Sequence, residues 1–189
     1  LRKANNTGAQ LLTGQVATFW STYDDVRGVI NALAISADGT RLAVSERGSL
    51  SIWDVTTLTE LHRPWDVTHK LDPTWGTMEM PDYLAEGCID FSPDGTRLVT
   101  AEYARGMLRV WDMTTNSSTP LTEFDAAWGW DAGRPRMPKG VRFSADGTRL
   151  IGTCENSQVR IFNATNLMTY EDVGTSYTGV EALTVSANR

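Results

Sequence analysis

The sequence predicts an all-β chain assembled from near-copies of one strand-rich unit, and three observations carry that prediction. A phrase recurs, as "ISADGTRLAVSERGSLSIWD" at residues 35–54, "FSPDGTRLVTAEYARGMLRVWD" at 91–112 and "FSADGTRLIGTCENSQVRIFN" at 143–163. Apolar and other side chains alternate in "CIDFS", "VRFS" and "LTVS", the period of a strand whose two faces meet different surroundings. Each such run ends in a Ser-X-Asp-Gly turn or its onset, at Ser36, Ser92, Ser144 and Ser186, spaced 56, 52 and 42 residues apart. A unit near the shortest of these spacings, holding several short strands and enlarged twice by insertions, is the sequence sign of propeller blades.

Each element follows from local chemistry. In the Ser-Pro-Asp-Gly turn, Pro93 presets the backbone at the second position and Asp94 suits the third. Gly95 then takes the left-handed conformation that a side chain would resist. The next strand, "TRLVTA" or "TRLAVS", runs to a second turn holding Gly48 or Gly106, and "LSIWD", "LRVWD" and "VRIFN" form a third. A weaker fourth strand is expected in "TLTELHR", "TPLTEF" and "NLMTYED".

Composition narrows the function. The chain of 189 residues is 41% hydrophobic and 21% charged, enough apolar surface for a buried core. Its net charge of −6 and scattered arginines argue against a nucleic-acid or anionic-membrane surface, and no apolar run is long enough to span a bilayer. Cys88 and Cys154 fall inside strand-like runs and are expected as buried thiols rather than metal ligands or a disulfide. Three Asn-x-Ser/Thr sequences, at Asn5, Asn116 and Asn163, would suit a secreted protein.

The Trp-Asp pairs that close the third strand, Trp53-Asp54 and Trp111-Asp112, with Phe162-Asn163 as a softened version, make the chain resemble the WD-repeat family of β-propellers. On that resemblance residues 13–28 are the outer strand of a preceding blade and its link. Residues 29–63, 87–124 and 140–174 are blades of four strands, residues 64–86 and 125–139 are insertion loops, and residues 179–189 hold the first strand of a further blade. Family blades often carry Gly-His before the first strand and an Asp in the turn between the second and third, joined to the Trp by a hydrogen-bonded network. Here no blade has that histidine, and the Asp position falls on Arg47, Arg105 and Asn156. The repeats are degenerate, so the network is expected to be missing and packing to hold each blade. The resemblance also implies a ring of about seven blades. This chain is then a propeller segment, and further blades, from the same parent chain or another one, are needed to close it.

The two insertions are the candidate site. Loops of that length are usually functional or mobile. They hold four of the seven tryptophans, Trp65, Trp75, Trp128 and Trp130, with Met78, Met80 and Met137 beside them. By the resemblance, Arg47 and Arg105 share their face of the propeller. Large aromatics, methionine and arginine are enriched at binding centres, so these residues are expected to take a protein or peptide partner. The competing reading of each tryptophan is that it folds back on its own blade, burying about 150 to 250 Å². Three other clusters have plainer readings. His62 and His69 lie too far apart for a zinc pair and are expected as solvated loop histidines. The Asp-Gly sequences lack the alternating carboxylates of a calcium loop. Glu79, Asp82 and Glu86 form a solvated acidic group or one that attracts a basic partner.

No nucleophile elbow or phosphate-cradling glycine loop occurs, and no cofactor or metal is expected. The function predicted is a non-catalytic interaction scaffold. Two alternatives stay open: a permanent subunit of a large assembly, and an enzyme or small-ligand binder whose site lies on other blades.

Overall fold

A computed structural model of the chain describes residues 30–46, 49–66, 84–102, 106–125, 130–131, 134–135, 138–154, 158–175 and 183–186. Its organising detail is the turn. Ser36, Ser92 and Ser144 each accept the N–H of the glycine three residues on, at 2.8 Å, and each donates its own N–H to the carbonyl of Arg41, Arg97 or Arg149 at 2.9 Å. The intervening aspartate gathers the remaining donors. Asp94 Oδ1 accepts the Ser92 hydroxyl at 2.5 Å, the Thr96 N–H at 3.0 Å and the Thr96 hydroxyl at 2.9 Å. Asp38 and Asp146 repeat this set. Gly39, Gly95 and Gly147 have φ near +70° (72°, 69° and 70°), the left-handed region the sequence predicts for them.

These turns open three antiparallel sheets of four strands, each in chain order. The first holds β1 (Ile30–Ile35), β2 (Arg41–Glu46), β3 (Ser49–Asp54) and β4 (Glu60–Asp66). The second holds β5 (Leu84–Phe91), β6 (Arg97–Glu102), β7 (Met107–Asp112) and β8 (Thr122–Asp125). Between the second and third sheets, β9 (Trp130–Asp131) and β10 (Arg134–Pro135) form a two-residue ladder, inside a stretch the sequence marks only as loop. The third sheet holds β11 (Pro138–Phe143), β12 (Arg149–Cys154), β13 (Gln158–Asn163) and β14 (Tyr170–Thr175). No helix occurs among the described residues. The chain is an all-β propeller segment of three blades, stacked face to face.

Strand alternation explains the stacking. In the second blade Ile89, Phe91, Leu98 and Trp111 turn toward the first blade, where Ala32, Ala43, Leu50 and Ile52 meet them. Cys88, Val99 and Val110, their neighbours in sequence, turn the other way and with Leu108 pack on Val141, Phe143, Leu150 and Phe162 of the third. A middle blade is thus apolar on both faces, which is why "RLVTA" reads as an almost unbroken buried run. Cys88 and Cys154 are free and buried, as expected, and burial pushes the Cys88 thiol up to about 12.

Three expectations need correction. Part of the Trp-centred network survives, because a buried indole N–H needs an acceptor. Trp111 Nε1 donates to Thr100 Oγ1 at 3.0 Å, and Trp53 Nε1 to Ser51 Oγ at 2.8 Å. In the third blade Phe162 has no N–H, and its ring packs against Phe124 and Tyr170 instead, at 6.2 Å and 5.6 Å. His62 is not a solvated loop residue; it lies in β4, half-buried, with Nε2 3.0 Å from the Ser117 carbonyl of the next blade. Trp65 belongs to β4, where its backbone faces Leu50, so the strand runs beyond residue 63. The predicted outer strand and link at residues 13–28 and His69 lie outside the described residues, and of the further strand expected in residues 179–189 the described part, residues 183–186, forms no strand.

Two outcomes follow. Gly95→Val places a β-branched side chain at positive φ and should lower stability by about 1 to 3 kcal/mol, read as a fall in urea midpoint. The three turn aspartates have carboxyls held at about 2, below the ordinary 3.8, first by the serine hydroxyl and then by the threonine N–H. A carboxylate depressed in the fold stabilises it above pH 3.8, and that advantage is lost as pH falls toward about 2. The urea midpoint should therefore drop across this window. The triple variant Asp38→Asn, Asp94→Asn, Asp146→Asn should show a shallower drop.

Candidate interaction surface

Antiparallel pairing gives each blade two ends of different character. One end carries the Asp-Gly turns and the segments after the third strands. At the other end β2 gives way to β3, β6 to β7, β4 to β5 and β8 to β11. All four connections that carry the predicted partner-binding residues therefore leave from one end. The backbones of Trp65 and Trp130 are placed there, in β4 opposite Leu50 and in β9 opposite Pro135. Trp75, Met78, Met80, Trp128, Arg47 and Arg105 lie outside the described residues. No side chain of the eight is described, so the structure brings together their points of attachment.

The opposite end holds the blades to one another. Arg41, directly after the first Asp-Gly-Thr turn, donates from Nη2 to the Gly95 carbonyl at 2.6 Å and from Nη1 to the Met113 carbonyl at 3.0 Å. Its guanidinium lies 5.6 Å from the centre of the Phe91 ring. Arg97 does the same one blade on, to Gly147 at 2.7 Å and Ala164 at 3.3 Å, 5.3 Å from the Phe143 ring. A planar, permanently charged fork suits two fixed carbonyls and an aromatic face at once. These clamps are the functional residues that sequence reasoning missed. The signal was present, since an arginine follows all three Asp-Gly-Thr turns.

Polar contacts stitch the inner and outer strands too. Asp90 Oδ2 accepts the Phe143 N–H at 2.8 Å across the second interface, and Arg142 Nη1 donates back to the Ile89 carbonyl at 3.2 Å. Burial raises the Asp90 carboxyl above its ordinary value, opposed by the Phe143 N–H and by Arg142. On the outer side Arg109 bridges Glu102 and Glu123, at 2.5 Å and 3.3 Å, tying three strands of one sheet. Arg160 pairs with Asp172 at 2.7 Å and lies 4.4 Å from the Tyr170 ring centre. Among the described residues no group of three or more His, Cys, Asp or Glu is arranged to hold a metal ion.

The family model described as "WD domain, G-beta repeat" matches residues 16–54 and 87–112. Two segments of the chain are thus similar to WD repeats. Among solved structures, the WD40 repeats of RRP9 resemble it with a TM-score of 0.60 at 16% identity, over 83% of this chain and 41% of that one. Hydrazine synthase of Kuenenia stuttgartiensis resembles it with a TM-score of 0.54 at 16% identity, over 78% of this chain and 36% of that one. At such identity the likeness speaks for the fold alone, and the chain spans well under half the length of either. No curated protein matches the sequence.

The three-blade frame should depend unequally on the arginines that follow its turns. Arg97→Ala removes two charge-assisted hydrogen bonds between blades and should cost about 2 kcal/mol. Arg149, whose exposed side chain has no polar partner among the described residues, should tolerate Arg149→Ala within about 0.5 kcal/mol. Urea midpoints of the two variants measure the contrast.

Proposed function

We propose that this WD-repeat segment is a non-catalytic scaffold that binds a protein or peptide through Trp65, Trp75, Met78, Met80, Trp128, Trp130, Arg47 and Arg105, displayed on one propeller face. The observation that carries this reading is the separation of tasks along each blade. The clamps sit at the Asp-Gly end. The tryptophan-rich connections leave from the other, a strand length of about 20 Å away. A frame held at one end leaves the other to present side chains without spending binding energy on ordering the scaffold.

Large rigid aromatics deliver much contact area for little lost entropy, and such anchors dominate binding energy when a partner desolvates them. The segment acts as part of a larger ring, whose remaining blades come from the same parent chain or another one. A permanent subunit of a large assembly is the second reading, favoured by the apolar character of the same connections.

The test compares capture with stability. Immobilised chain captures its partner from an extract of the source cells. Replacing Trp65, Trp75, Trp128 and Trp130 with Ala should weaken capture by at least about 2 kcal/mol for a central anchor, while the melting temperature falls less in proportion. Unchanged capture by a destabilised variant would show that these side chains only pack on their own blades.

A further inference from the structure

Two of the three Asp-Gly turns are one sequence in two surroundings. Residues 36–40 and 144–148 both read Ser-Ala-Asp-Gly-Thr. Their internal bonding matches too. Asp38 Oδ1 accepts the Ser36 hydroxyl at 2.6 Å and the Thr40 N–H at 3.0 Å, and Asp146 Oδ1 accepts the Ser144 hydroxyl at 2.5 Å and the Thr148 N–H at 3.0 Å. The glycines differ. Gly147 is buried, and Arg97 Nη2 donates to its carbonyl at 2.7 Å. A Cβ built there would lie 3.4 Å from that nitrogen and from Pro93 Cδ. Gly95 in the second turn is buried in the same way, with Arg41 Nη2 on its carbonyl at 2.6 Å. Gly39 is exposed, and a Cβ on it would meet nothing within 4 Å. Among the described residues no group donates to its carbonyl.

An Asp-Gly pair carries a reaction of its own. The glycine nitrogen attacks the protonated aspartate carboxyl: an N–C bond forms, the C–OH bond breaks, and water leaves with the amide proton, giving a five-membered succinimide. Water then opens the ring at the former backbone carbonyl. The chain now runs through the side-chain carbon as isoaspartate, with no net change in mass and no reactant other than water. Glycine hinders this attack least, because it has no Cβ. The turn must open first, since the glycine N–H is donating to the serine carbonyl, at 2.8 Å in all three turns. At Gly95 and Gly147 the opening also pulls a carbonyl out of an arginine clamp between blades. At Gly39 it breaks only the turn's own bonds. Local openings of this kind differ in free energy across one structure, and the cheapest of them sets where slow chemistry occurs.

We infer that, of the three Asp-Gly pairs, Asp38-Gly39 is the site of spontaneous isoaspartate formation, and that Arg41 and Arg97 protect Asp94 and Asp146 from it. The product shifts the carboxyl away from Ser36 and Thr40 and loosens the β1–β2 hairpin, so chemical ageing begins in the first blade. The inference is independent of what the tryptophan connectors bind.

The test ages the 189-residue chain at neutral pH and quantifies isoaspartate in the three turn peptides by mass spectrometry with electron-transfer fragmentation. Asp38 should convert at least about tenfold faster than Asp146 in the folded chain. In urea, where only the shared pentapeptide remains, the two should convert at equal rates. Equal rates in the folded chain, or faster conversion at Asp94 or Asp146, would overturn the inference. So would a difference that persists in urea. Arg97→Ala should raise the Asp146 rate toward that of Asp38 and leave Asp38 unchanged, and an unchanged Asp146 rate would remove the role given to the clamp. The single variants Asp38→Asn and Asp146→Asn keep both clamps intact and suffer the same attack with loss of ammonia, so hydrolysis reports as a gain in mass. Deamidation at position 38 should again be the faster, and equal or reversed rates overturn the proposal.

Discussion

Two guanidinium groups, each spanning a pair of backbone carbonyls in the next blade, fix where one sheet meets another. Apolar packing between blades is large but non-directional, and flat apolar faces can slide. The clamp removes that freedom. Gly95 and Met113 are held by one planar fork, and so are Gly147 and Ala164, so neither the turn nor the segment after the third strand can shift alone. The requirement for glycine at the turn then has two sources. Positive φ asks for it, and at Gly95 a Cβ would push the Arg41 guanidinium away from the carbonyls it holds.

With the blades registered in this way, the interior of each sheet can vary as long as its polar groups find partners. The pair beside the third-strand tryptophan shows how. In the first blade Val44 faces Ser51, and the serine accepts the indole N–H. In the second, Thr100 faces Arg109, and the acceptor has crossed to the other strand. In the third, Gly152 faces Arg160, with no hydroxyl on either side, and Phe162 needs none. Arg109 and Arg160 are then free to pair outward with carboxylates on the outer strands. What recurs is a satisfied donor rather than a fixed residue, which is why the repeats look degenerate while the three sheets keep the same order.

The turns and strands were legible because their causes are local. Asp94 with Ser92 and Thr96, and Gly95 at positive φ, lie within a few residues of one another, and the alternation of Ile89 and Cys88 needs only the strand period. The clamps were not. Arg41 reaches Met113, 72 residues away, and only the stacking of one blade on the next reveals what it holds. His62 failed for the same reason, since its partner Ser117 belongs to another blade. Within the candidate site, richness in tryptophan and methionine could be read, but the insertions have no period from which a facing direction follows.

On the proposed reading, in which the long connectors grip a partner, a conflict arises, because residues suited to that task are poor at gripping the scaffold. Here the conflict is resolved by position. Every clamp donor and acceptor, Arg41, Arg97, Gly95, Met113, Gly147 and Ala164, lies at the turn end of its blade, and the Asp-Gly turns that present them are closed by their own Ser, Asp and Thr. None of that chemistry draws on the connectors that follow β4 and β8. Those connectors can therefore lengthen, gain aromatics or change charge while the frame keeps its geometry, the condition under which a degenerate repeat can acquire a new partner without losing its fold.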